Sequence, residues 1–337
     1  MSNVPVPATE TPRLVLAADV GGTNARLGLY AVAPGLRPRR LATRTTATPV
    51  GDELLALAST FWHEVRPEPA AVLTAACIGV AGPVEGPVVM LTNTPCRVDS
   101  VALARTLAAP VTLLNDVAAL AHALPALTAE EQTVLQAGTS VARGARVVVS
   151  VGTGFGQAVL HRGAGDDLVS CSEGGHADWA PRTSRDAALW HWLVARDGRA
   201  EVEAVVSGRG LVTLHTFTHQ NGACRAGLAG GPVDGAAISA AALAQQCPHC
   251  AEALDLFVEA LGAELGNVAV RAAATGGVWL TGSVARAIQP LLVTDRMRQA
   301  FIDKGAMTPL LRGIPVSMIT LEDAGLLGAA VFAARAC

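Results

Sequence analysis

Gly21, Gly22 and Thr23 follow an apolar stretch, 14-LVLAAD-19, that ends in Asp19. Glycine lets backbone N–H groups approach phosphate oxygens with no Cβ in the way, so a turn of this composition can cradle a polyphosphate. Asp19, at the strand end, can hold Mg²⁺ directly or through water, as suits an oxygen-seeking cation. Two nucleotide motifs are excluded. There is no G-x-x-x-x-G-K-[ST], and the glycines lead into a second strand, 25-ARLGLY-30, rather than a helix, so neither a P-loop nor a dinucleotide fingerprint fits. Alone, such a turn is more often just a tight turn. A second one, 152-GTGFG-156, lies between 146-RVVVSV-151 and 157-QAVLHR-162, and two Gly-Thr hairpins are what gripping one triphosphate from both sides requires.

Asn115 and Asp116 end the run 111-VTLLND-116, at the edge where α/β sheets place ligand groups. An aspartate there can accept the proton of an attacking hydroxyl. Both residues are also good helix N-caps for the segment from Val117. In 173-EGGHADW-179 a carboxylate, Glu173, and an imidazole, His176, sit in a glycine-spaced loop where both can reach the hydroxyls of a sugar ring; His176 can equally pair with Asp178 to stabilise the loop. Cys247 and Cys250, in 247-CPHC-250, have metal-like spacing, with His219, Cys224 and His249 near in sequence. A structural zinc site normally shows a second tidy ligand pair, so the segment reads as a loop leading into the helix that starts near Ala251.

The elements that must position these groups form two similar series. Each Gly-Thr turn joins two strands of alternating apolar residues, about 130 residues apart, which suggests an internal duplication. Between them, helical stretches (51–65, 100–108) alternate with short buried strands (73–82, 111–116), predicting α/β lobes with partly parallel sheets. Helices follow at about 186–197, 235–246 and 251–274, then a strand at 277–282. The tail, 314-IPVSMIT-320 and 321-LEDAGLLGAAVFAARA-336, reads as a strand and a helix returning to close a sheet.

Composition narrows the function classes. The 337 residues are 51% hydrophobic and 16% charged, enough for a large core and two lobes. A net charge of −3 gives no electrostatic reason to expect nucleic acid or an anionic membrane as partner. Mean hydropathy is positive, +0.39, but no apolar run reaches the roughly 18 residues that span a bilayer. The N-terminus, MSNVPVPATETPR, lacks the apolar core of a signal peptide and reads as a disordered leader. Seven scattered cysteines argue for reduced thiols and a cytoplasmic location.

In its ordered motifs the chain resembles the bacterial glucokinase family, within the actin-like and hexokinase-like ATPases. These motifs are DVGGTNARLGLY, 77-CIGVAGPVEG-86, 91-LTN-93, LLNDVAALA, VVVSVGTGFG, SEGGHADWAP, VVSGRGLV, GGVWLTGSV and IPVSMI with GLLGAAVF. The resemblance implies two ribonuclease-H-like lobes with a cleft between them: 12–122 plus 318–337, and 123–317, after a leader at 1–11. It implies ATP-dependent phosphorylation of D-glucose to glucose 6-phosphate, Mg²⁺, and a homodimer. In the family pattern Asp116 is the base; Asn115, Glu173, His176 and Glu203 contact the sugar, with Glu201 the rival for the last role. Ala18, Asp19, Val20, Gly21, Gly22, Thr23, Asn24, Gly152, Thr153, Gly154 and Gly282 fall to the nucleotide.

Two departures stand out. Where the family often has an aromatic residue shortly after LTN, this chain has 94-TPCR-97; and the tight three-cysteine zinc signature of the related repressor and kinase family is absent. A kinase for another hexose, a polyphosphate-dependent kinase, a sugar-sensing ATP-binding regulator and an actin-like ATPase are the rival readings.

Overall fold

A computed structural model describes residues 13–91, 94–163, 166–220, 222–228 and 233–336. The leader expected over 1–11 and residues 92–93 of the LTN segment lie outside the described residues. The chain forms two compact units, one running to Ala126 and resuming at Asp323, the other spanning Leu127–Glu322.

The first unit contains β1 (Arg13–Val20), β2 (Asn24–Val32), β3 (Arg39–Ala47), α1 (Glu53–Val65), β4 (Leu73–Val80), the short pair β5 (Val88–Met90) and β6 (Arg97–Asp99), α2 (Ser100–Leu107), β7 (Val111–Asn115) and α3 (Asp116–Ala123). The second contains β8 (Gln132–Gln136), β9 (Arg146–Val151), β10 (Phe155–His161), β11 (Leu168–Ser172), α4 (Ser184–Asp197), α5 (Gly208–Thr218), α6 (Gly235–Leu243) and α7 (Pro248–Ala272). It continues with β12 (Gly277–Thr281), α8 (Ser283–Ala287), α9 (Gln289–Leu292), α10 (Asp295–Ile302), α11 (Thr308–Gly313) and β13 (Val316–Ile319), before α12 (Ala324–Ala333) returns to the first unit.

The duplication suggested by the two turns is visible in the sheets. The first is ordered β3-β2-β1-β4-β7 and the second β11-β10-β9-β12-β13-β8. In both, three antiparallel strands lead into two parallel ones; the second adds β8 as an antiparallel edge. The tail strand therefore does not return with the helix that follows it. β13 pairs with β12 and β8, so residues 318–322 stay in the second unit. The other boundary moves from 122 to 126 because a 3₁₀ turn, Leu124–Ala126, prolongs α3.

β1 is apolar almost throughout because both of its faces are covered. Leu14, Leu16, Ala18 and Val20 pack into one core with Leu54, Phe61, Leu103 and Leu107 from α1 and α2. Val15 and Ala17 pack into another with Ala119 of α3 and Leu326, Ala329 and Ala330 of α12.

In that second core His122 of α3 is 3% exposed, its ring 5.0 Å from Phe332 and its Nδ1 3.2 Å from Arg335 Nη2. Burial, reinforced by the Arg335 charge, pushes the imidazole down to about 4. The unfolded chain takes up this proton below the ordinary value near 6.5 while the folded chain resists it until about pH 4. His122 therefore leaves stability intact above pH 6.5 and costs on the order of 3 kcal/mol as pH falls to 4. In urea titrations between pH 4 and 8, His122→Leu should flatten the acid limb; an unchanged limb would exclude His122 as its source.

Candidate active site

In the first unit the carboxyl ends of β1, β4 and β7 are level, with Val20 opposite Val80 and Val80 opposite Asn115. Asp19 and the Asn115–Asp116 pair thus reach one sheet edge, two strands apart, roughly 10 Å. The turn after β1 closes with a bond from Gly21 N to Asn24 O at 3.0 Å. Thr48 Oγ1 donates to Gly21 O and Thr94 Oγ1 to Gly22 O, both at 2.6 Å. Holding these carbonyl oxygens on protein hydroxyls suits a phosphate-binding turn, since they would otherwise repel an anion. Gly22, Thr23 and Asn24 are exposed. Ala18 and Val20 are buried in the core, and Val20 O already accepts from Ala81 N; any contact from these two would be through remaining backbone groups, not side chains.

Asp19 is largely covered, 3.9 Å from Arg26 Nη1. Burial holds its carboxyl above the usual range, with Arg26 opposing and Asp323 reinforcing the shift. Asp323 is itself paired with Arg40. A Cβ on Gly325, in the first turn of α12, would sit 3.1 Å from Asp19 Oδ2, so glycine keeps this carboxylate accessible at its end of the helix.

The capping role left open by the sequence is realised by Asn115. Its Oδ1 accepts from Val117 N at 3.0 Å and Ala118 N at 3.2 Å, and its Nδ2 donates to Gly82 O at 3.1 Å. Asp116 is half-buried at the first position of α3, and its Oδ1 accepts from Val117 N at 2.9 Å.

In the second unit β9 and β10 flank the turn Gly152–Gly154, closed by Gly152 N to Gly154 O at 3.0 Å. Glu203 reaches this turn: its carboxylate accepts from Phe155 N at 2.8 Å and is paired with Arg209. A Cβ on Gly154 would lie 2.7 Å from Glu203 Oε2, and Glu203 N donates to Gly175 O at 2.8 Å. Glu203 therefore joins the phosphate-type turn to the loop of Glu173 and His176. Glu201 lies 3.3 Å from His176 Nδ1 and 3.9 Å from Arg199, while Asp178 pairs with Arg199 at 3.2 Å. The loop is thus stabilised through His176–Glu201, not through the His176–Asp178 pair. Glu173 and His176 are exposed.

A cavity of about 450 Å³ opens beside the same turn, lined among others by Thr153, Gly208, Arg209, Asp234, Gly235 and Ser283. The starts of α5, α6 and α8 converge on it. Close glycine contacts make this possible. Gly208 N donates to Gly152 O at 2.8 Å, and a Cβ on Gly235 would be 3.0 Å from Gly208 O. Gly282 has φ +109°, and a Cβ there would overlap the Val151 carbonyl. Its missing side chain lets α8 begin against β9, while Ser283 and Val284 line the cavity.

The sequence reading missed Gly208, Arg209 and the Asp234–Ser239 wall. Ser207, which caps α5 through Gly210 N, was a legible signal in 203-EAVVSGRG-210. Gln157 was also missed. Its Nε2 donates to Ser172 Oγ at 2.6 Å beside Gly174, while its buried Oε1 has no hydrogen-bond partner among the described residues.

A family model described as Glucokinase matches residues 16–336. A glucokinase from Synechocystis is 36% identical over 95% of this chain and 98% of its own length. The crystal structure of a glucokinase from an Antarctic psychrotroph superposes with a TM-score of 0.84 at 29% identity, covering 96% of this chain and 99% of that one. A ROK family glucokinase from Streptomyces griseus, solved with glucose and AMPPNP, shares the fold with a TM-score of 0.62 at 23% identity, over 96% of this chain and 99% of that one.

Proposed function

The chain belongs to the glucokinase family and is a hexose kinase, and from that premise we propose that it transfers the γ-phosphoryl group of Mg·ATP to the 6-hydroxyl of D-glucose with Asp116 as the base. The observation that carries this reading is the place of Asp116, at the first position of α3 and just past the end of β7, which is level with the end of β1 that bears Asp19. Asp116 accepts the hydroxyl proton as the sugar oxygen bonds to the γ-phosphorus and the bond to the ADP oxygen breaks. Asn115, already tied to Gly82 and the helix start, holds a neighbouring sugar hydroxyl with its remaining amide hydrogen. Glu173, His176 and Glu203 take the other hydroxyls.

The Gly21–Thr23 and Gly152–Gly154 turns hold the phosphates, and the cavity at Gly208, Gly235 and Ser283 takes the adenosine. Mg²⁺ enters with the nucleotide. The Asp19 carboxylate fits it, because it is a hard oxygen donor whose charge neither Arg26 at 3.9 Å nor solvent fully compensates. The enzyme works in the cytoplasm as a homodimer, in keeping with its family resemblance; the described cysteines are all free thiols, and among the described residues no helix is long and apolar enough to cross a membrane.

The test is ADP release from Mg·ATP by purified protein, alone and with glucose, mannose, fructose or N-acetylglucosamine. Strong turnover with glucose alone is expected. Preference for another hexose would move the specificity while keeping the chemistry, and turnover that ignores sugar would overturn the proposal in favour of an ATPase.

A further inference from the structure

Five donor side chains remote in sequence meet where α5 ends and α7 begins. His215 and His219 lie one helical turn apart, Cys224 in the following loop, Cys247 at the N-cap of α7 and Cys250 in its first turn. One donor atom from each of His215, His219, Cys224 and Cys250 lies within 4.8 Å of the others. We propose that these four residues, with Cys247 alongside, form a tetrahedral structural zinc site that clamps α5 to α7.

The distances suit the ion. Two sulfurs bound to one tetrahedral zinc lie about 3.8 Å apart, and a sulfur and a nitrogen about 3.6 Å, given ordinary Zn–S and Zn–N bonds. Cys224 Sγ is 3.7 Å from Cys250 Sγ, and Cys247 Sγ is 3.4 Å from His219 Nε2. His219 Nδ1 donates to His215 O at 2.7 Å. That bond fixes the tautomer and leaves Nε2 with its lone pair directed at the sulfurs, the usual arrangement behind a ligating histidine.

His215 points independently to a ligand. It is 8% exposed, and its Nε2 has no hydrogen-bond partner among the described residues, an orphan that a buried polar atom rarely tolerates without a partner. Thiolate with imidazole selects zinc over magnesium or calcium. The arrangement is unlike the tight three-cysteine cluster absent from this chain. With four protein ligands and no open position, it would be structural rather than catalytic.

The experiment uses full-length, tag-free protein. Metal content is measured by plasma mass spectrometry, followed by exchange with Co²⁺ and visible spectroscopy. One zinc per chain is expected, with Co²⁺ giving the absorption of a tetrahedral thiolate site. Cys224→Ser, at a partly exposed position, should weaken zinc binding roughly tenfold or more and reduce the thiolate-to-cobalt band, since Cys250 remains, and chelation should lower the Tm of the wild type more than that of this variant. Protein that stays metal-free after dialysis against Zn²⁺, equal metal retention by Cys224→Ser, or a Cys224–Cys250 disulfide in freshly purified protein would each overturn the proposal.

Discussion

Asp116→Asn is expected to lower kcat by about 10²- to 10⁴-fold, the usual worth of a positioned proton acceptor, with glucose binding largely preserved. The substitution is close to isosteric. An amide oxygen can still accept from Val117 N, as Asp116 Oδ1 does at 2.9 Å, so the start of α3 should stay formed. What is lost is the capacity to take the hydroxyl proton. Steady-state kinetics by ADP release, paired with calorimetric titration of glucose, separates the two effects. A variant with near wild-type kcat would show that Asp116 is only a helix-start residue. The comparison with Asn115→Ala sharpens the test: removing the cap and the Gly82 contact should cost about 1 kcal/mol of stability, which Asp116→Asn should not.

Gly328→Ala should be the most disruptive single methyl group in the first unit. α12 lies on α3, and a Cβ at Gly328 would overlap the carbonyl oxygen of Ala119 and lie 2.9 Å from Ala123 N. Backbone cannot move aside as a flexible side chain does, so the helices must separate. Overpacking of this kind costs on the order of 3 kcal/mol, or a Tm loss of roughly 10 °C. Because α3 begins with Asp116, kcat should fall along with stability. Gly313→Ala is the control, since a Cβ there meets nothing within 4 Å. If calorimetry gave both variants the wild-type Tm, the close α3–α12 packing would be wrong.

Some of the site was readable because its signals are local. The Gly-Gly-Thr turn between two alternating strands needs no distant partner to be recognised, and Asn115–Asp116 follow directly from a strand ending where a helix starts. The choice between Glu201 and Glu203 could not be read in the same way. Both are glutamates two residues apart, and only the fold shows that Glu203 meets Phe155 N and Arg209 whereas Glu201 meets His176. The cavity wall was invisible for a related reason: Thr153, Gly208, Gly235 and Ser283 come from four separate elements, and nothing in any one segment says that its helix start will face the others.

The amino-acid sequence by itself determined the two hairpin turns, the strand-and-helix alternation of both units, and the carboxylates and imidazole that can do the chemistry. These depend on side-chain periodicity, on glycine and on residue type, all of which act over a few residues. Tertiary structure alone decided that β13 belongs to the second sheet, that Gly282 lies against Val151, and that His215, His219, Cys224, Cys247 and Cys250 share one place. Those outcomes depend on strand register and helix packing between segments tens to hundreds of residues apart, where shape and burial, not local propensity, select the partner.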